Sequence, residues 1–174
     1  MIYIKDNFLS EELLATVVGG TTPYKAVETP GKTFWVKTPS REFVSYVINK
    51  LALVEGSQIE NILCFFREAK QGQDDDWRIH NDSIIKGQLP DRAVVLYLSK
   101  DSQVGLNGTA LWSHKIYGDT YSGKTNESFN KLLLEDSNDL SKWDLKTVIG
   151  HKLNRLVSYP CKYFHSKYPR EFKE

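Results

Sequence analysis

The residues of this chain best suited to chemistry lie in the stretch Trp77-Arg78-Ile79-His80-Asn81-Asp82. In an extended strand, residues two apart point to the same face. His80 and Asp82 therefore present an imidazole nitrogen and a carboxylate oxygen to one point. A third neutral nitrogen would complete the two-histidine, one-carboxylate set that holds non-haem Fe(II) and leaves three coordination positions open for chemistry. The chain has 4 histidines, so that ligand comes from His114, His151 or His165, and spacing alone leaves all three open. A His-x-Asp pair is short enough to arise by chance, so its surroundings must carry the assignment.

Those surroundings are set by an ordinary globular composition. At 174 residues, with 40% hydrophobic and 26% charged residues, the chain is expected to fold as a single domain, 1–174, with a full core. A formal net charge of +1 gives no field that would steer it to nucleic acid or an anionic membrane. No apolar run approaches a membrane span, and the opening Met-Ile-Tyr-Ile-Lys-Asp-Asn-Phe lacks the order of a signal peptide. Cys64 and Cys161 sit in apolar contexts without metal-ligand spacing, which predicts buried free thiols and a reducing, cytoplasmic setting.

The pattern of elements is mainly β with helices near the N-terminus. Ile2, Ile4 and Phe8 open as a strand. Ser10 then caps a helix carrying Leu13, Leu14, Val17 and Val18, stopped by Gly19-Gly20. Residues Tyr24–Val27 and Thr33–Lys37 read as a hairpin about Pro30-Gly31. From the Ser40 cap to Gly56 the apolar residues Phe43, Val44, Val47, Ile48 and Leu51 keep helical spacing. Thereafter strands are expected at Ile62–Arg67, around His80, at Arg92–Ser99, Thr109–His114, Leu153–Tyr159 and Lys162–His165. A polar turn falls at Gln71–Asp76 and another at Gly105–Gly108. Tyr117–Lys146 reads as an insertion with a short helix over Glu127–Glu135. Short strands at this spacing predict a barrel or sandwich.

The order of these parts carries a resemblance. Asp-Asn-Phe-Leu-Ser-Glu-Glu at the start, His80-x-Asp82, the strand Ala93–Leu98 running into Tyr-Leu-Ser, Gly108-Thr109-Ala110-Leu111-Trp112, and Asn154-Arg155-Leu156-Val157-Ser158-Tyr159 leading to Phe164-His165-Ser166 together resemble the Fe(II)/2-oxoglutarate-dependent oxygenases. The likeness is greatest to the prolyl-4-hydroxylase-like branch and its small phage and bacterial relatives, and it covers Ile2 to about Pro169. The resemblance implies a double-stranded β-helix of the jelly-roll, cupin-like kind, with the N-terminal helices packed on one face. It picks His165 as the third metal ligand, leaves His114 as a pocket residue and places His151 in a solvated turn.

The same resemblance implies a cofactor and a reaction. Fe(II), 2-oxoglutarate and O2 would convert a peptide, protein (a prolyl residue among the options) or small-molecule substrate to its hydroxylated form, with release of succinate and CO2. The distal carboxylate of 2-oxoglutarate needs a cation, which in most relatives lies on a further strand beyond the distal histidine. Here Arg170 is the first candidate, because a guanidinium binds a carboxylate bidentately, and Lys167 the second. Tyr97 and Thr109 are expected beside that carboxylate, and Arg78, Asn81 and Trp112, with Trp77 and Trp35, at the substrate opening. Two other functions fit the same residues: a catalytically silent binding domain, and a cupin-like metalloenzyme that does not use 2-oxoglutarate.

Overall fold

The computed structural model describes residues 1–29, 32–68, 79–82, 88–100, 107–120 and 134–168. Within them the chain forms strands β1 (Tyr3–Lys5), β2 (Lys25–Thr29), β3 (Lys32–Lys37), β4 (Phe66–Glu68), β5 (Arg92–Leu96), β6 (Gly108–His114), β7 (Trp143–Gly150), β8 (Leu156–Pro160) and β9 (Phe164–Tyr168). Two α-helices, α1 (Glu11–Val18) and α2 (Arg41–Glu55), precede β4. All pairings are antiparallel. They give three open sheets of three strands each, ordered β1-β8-β5, β2-β3-β4 and β7-β6-β9, and none of them closes into a barrel among the described residues.

Both helices start where side-chain capping predicts. Ser10 accepts from the Leu13 amide and Ser40 from the Phe43 amide, satisfying amides that no helical carbonyl can reach. Gly56 ends α2 at a φ of 66°, a left-handed conformation that glycine adopts without a Cβ clash. The apolar faces of α1 and α2 pack with Phe8, Leu9 and Phe66 against Leu156, Leu96 and Tyr3 on the outer side of the β1-β8-β5 sheet. The helices thus cover one face of a sheet, as expected. None of them is long and apolar enough to cross a membrane.

The inner side of that sheet meets the β7-β6-β9 sheet. Val157, Tyr159, Ala93 and Val95 from the first contact Leu111 and Ile149 from the second, the face-to-face packing of a sandwich. The β7-β6-β9 sheet is buried on its other side too, where Ala110, Trp112, Trp143 and Phe164 pack around Ile79. Gly108, at the start of β6, has a φ of 153°, and a Cβ there would run into the Ile149 carbonyl. Glycine is what lets β6 and β7 approach at that end.

Several expected elements are moved by tertiary contacts. The hairpin forms, although Pro30 and Gly31 lie outside the described residues. The strand expected over Ile62–Arg67 is the shorter, later β4. The strand expected from Leu153 starts only at Leu156, because Asn154 takes a left-handed φ of 62°. Its side chain accepts from the Leu9 amide at 2.8 Å and donates to the Leu9 carbonyl at 2.9 Å. This fixes the N-terminal segment to the β8 entry, and Asn154 is 6% exposed. Asn154→Ala is expected to cost about 2–3 kcal/mol by leaving both Leu9 groups buried and unpaired. Denaturant unfolding checks this, and a loss below about 0.5 kcal/mol would show that water replaces the amide.

A strand is also found where none was expected. The second half of the supposed Tyr117–Lys146 insertion runs into β7, whose residues Asp144 to Thr147 are exposed on both faces. Only Leu134 and Glu135 of the expected Glu127–Glu135 helix are described, and both are helical. The polar turn at Gln71–Asp76 and residues 105–106 of the Gly105–Gly108 turn lie outside the described residues.

Asp6 ties the N-terminal strand to the turn around Asn154 that precedes β8. Its carboxylate accepts from Arg155 Nε at 2.6 Å and Lys152 Nζ at 2.8 Å. These two cations, Arg155 first, hold its carboxyl well below the usual carboxylate range. A carboxyl lowered on folding contributes stability that is complete above its unfolded value near ~4 and is lost as pH falls below that. Asp6→Asn is therefore expected to lower the Tm at neutral pH, with the difference from wild type shrinking under acid. Melts across a pH series check this, and a pH-independent difference would assign the effect to something other than the charge.

Candidate metal centre

His80 is held against β9 rather than within a long strand of its own. It forms an isolated antiparallel bridge with His165, exchanging both backbone hydrogen bonds, His80 N to His165 O at 3.0 Å and His165 N to His80 O at 2.7 Å. The Asp82 amide continues along the same edge and donates to the Cys161 carbonyl at 3.0 Å. Residue pairs directly opposite in a sheet share a face, and so do residues two apart along it. The backbone alone thus brings His80, His165 and Asp82 to one side. Ile79 points the other way into the core around Trp112. Its amide and carbonyl are both clamped by the buried Ser137, at 3.1 Å each. Ser137 belongs to the segment read from sequence as an insertion, and nothing in its local pattern marked it as a positioning residue.

The three side chains offer ligand atoms that all lie within 4.8 Å of one another. The His80 and His165 rings are 4.4 Å apart between centroids, and His165 Nε2 is 3.8 Å from Asp82 Oδ1. His165 Nδ1 lies 3.0 Å from the Tyr163 carbonyl. A carbonyl only accepts, so Nδ1 carries a hydrogen, and Nε2, on the Asp82 side, is the ring atom placed to be a ligand. Among the described residues, Asp82 pairs with no lysine or arginine, although its side chain is only 27% exposed. Its charge is felt nearby: burial first and then the Asp82 carboxylate push the Cys161 thiol up to about 12. A carboxylate so placed is stabilised by a cation. Two imidazole nitrogens and one carboxylate oxygen could hold a first-row divalent metal ion at about 2.0–2.2 Å. Facial ligands at such bonds stand roughly 3 Å apart, so small rotamer shifts would draw the three inward on loading.

A second group lies further along the same face. Lys167 pairs across the sheet with Thr109, as His165 does with Leu111, so Lys167, Thr109 and His165 share the inner face. Tyr97 reaches Thr109 from the facing sheet, hydroxyl to hydroxyl at 2.6 Å, and burial pushes its phenol up, keeping it protonated. Two hydroxyls that share one hydrogen between them leave the other free to donate. The His151 ring stands edge-on to Tyr97 at 4.7 Å and bonds Ser99 at 3.0 Å. It is partly buried, not in a solvated turn.

The remaining expected residues are placed elsewhere. Trp112 and His114 point to the opposite face of β6 from Leu111. Trp112 donates to Ser166 Oγ at 2.9 Å, while His114, 1% exposed, pairs with Asp136 at 3.2 Å and accepts from the Ile116 and Tyr117 amides. Both serve the second core and the turn after β6, and the structure does not bring them to the metal ligands. Asn81, next to both ligands and partly buried, faces away from them by the alternation of the strand. Trp35 lies on β3 in the separate hairpin sheet. Trp77, Arg78, Asp74–Asp76 and Arg170 lie outside the described residues. Both cysteines are free, Cys161 buried and Cys64 partly so.

No family model, curated protein or solved structure matches this chain.

Proposed function

We propose that the protein is a non-haem Fe(II)- and 2-oxoglutarate-dependent dioxygenase that hydroxylates a peptide, protein or small-molecule C–H bond. The observation that carries the reading is the His80, Asp82 and His165 cluster, with its ligand atoms within 4.8 Å on one face of a β9 edge. On this reading the two facing sheets are the halves of a double-stranded β-helix. When bound, Fe(II) would supply the redox chemistry by which R–H, O2 and 2-oxoglutarate become R–OH, succinate and CO2.

The chain's own residues do the rest. His80, Asp82 and His165 would hold the ion through two imidazole nitrogens and one carboxylate oxygen. Lys167, with the Thr109 and Tyr97 hydroxyls, meets the distal carboxylate. Two residues along a strand span about 7 Å, and a five-carbon dicarboxylate fits between the His165 and Lys167 positions. The sandwich core of Leu111, Val157 and Tyr159 keeps water from the far wall.

The test is anaerobic addition of 2-oxoglutarate to the Fe(II)-loaded protein, followed by air. The expected results are a weak visible charge-transfer band and then succinate. Metal binding without the band would favour a cupin-like metalloenzyme; no metal binding would leave a silent binding domain.

A further inference from the structure

Tyr159 has no part in the reading so far except as a wall. It is 2% exposed, on the inner face of β8, and its ring lies 5.0 Å from that of His165 at 59°. Buried tyrosine hydroxyls nearly always find a partner. Among the described residues that of Tyr159 makes no hydrogen bond to backbone or side chain. Its polar neighbours are already committed: Tyr97 is bonded to Thr109, and Asp82 is a proposed ligand of the ion. The thiol of Cys161 is a weak acceptor. A hydroxyl built into this wall without an acceptor among the described residues is placed to donate to a bound ligand.

We infer that the Tyr159 hydroxyl donates to the metal-side carboxylate of a bound 2-oxo acid, which makes Tyr159 a positioning residue for that ligand. The inference rests on the oxygenase reading. It assigns the two ends of the ligand to different groups, Tyr159 beside His165 and the Lys167, Thr109 and Tyr97 cluster at the distal end. A 2-oxo acid without a distal carboxylate should therefore still use Tyr159.

The experiment compares Tyr159→Phe with wild type, both loaded anaerobically with Fe(II). Each is titrated with 2-oxoglutarate and with pyruvate while the visible band is read, and Fe(II) affinity and the Tm of the metal-free protein are measured alongside. The expected result is a rise of about 10- to 100-fold in the Kd of both acids, the weight of one hydrogen bond to a charged group. Fe(II) affinity should stay the same and the metal-free Tm should not fall. Unchanged Kd values with a normal band would overturn the inference and leave the oxygenase reading standing, as would a loss confined to 2-oxoglutarate. A lowered metal-free Tm with unchanged Kd values would make the hydroxyl structural. Wild type that binds Fe(II) but gives no band with either acid would remove both.

Discussion

Asp82→Ala is expected to abolish Fe(II)-dependent succinate formation while the protein stays folded. The carboxylate supplies the one anionic ligand of the proposed triad, and without it two neutral imidazoles hold a divalent ion far more weakly. The effect on the fold should be small, because Asp82 makes no ion pair with lysine or arginine among the described residues. Removing its charge also takes away an anion that holds the Cys161 thiol up. Thermal melts with and without metal separate the two effects. A saturating ion at 100 times its Kd stabilises wild type by about 2.7 kcal/mol, and that increment should vanish in the variant while the metal-free Tm is kept. Succinate formation at the wild-type rate would take Asp82 out of the mechanism.

Lys167→Met is expected to raise the 2-oxoglutarate requirement by one to a few powers of ten with Fe(II) affinity unchanged. Truncating one partner of a desolvated charge pair costs roughly 2–5 kcal/mol, and tenfold corresponds to about 1.4 kcal/mol. Lys167 is preferred among the described cations for a geometric reason. Arg155 sits in the turn before β8, where it meets Asp6 and the Gly150 carbonyl, and Lys115 lies beyond β6, where it donates to the Ser141 carbonyl at 2.7 Å. Lys167 alone of these shares a sheet face with His165. Succinate formation measured against 2-oxoglutarate concentration checks it. Wild-type dependence would move the cation to Arg170, which sequence alone had ranked first because of its bidentate guanidinium.

Local chemistry determined a good part of this protein. Ser10 and Ser40 cap the helices they were expected to cap, because a hydroxyl beside an unpaired amide works through neighbours three residues away. The i, i+2 spacing put His80 and Asp82 on one face because strand alternation is a property of the backbone. What the sequence left open, tertiary structure decided through contacts between distant segments. Spacing alone left His165, His114 and His151 open and the resemblance picked His165, but it is tertiary structure that brings His165 to His80 and Asp82. His165 is opposite His80 only because β9 and the 79–82 segment pair in one register, and a slip of one residue would turn it to the other face. The same alternation sends Trp112 and His114 away, although each stands in the strand that pairs with β9. β7 carries no period-two signal because its middle, Asp144 to Thr147, is exposed on both faces. Ser137 and Tyr159 were invisible for a related reason. A serine that clamps a backbone 58 residues away, and a tyrosine whose hydroxyl meets no acceptor among the described residues, are defined by their surroundings, and those exist only once the two sheets have closed on each other.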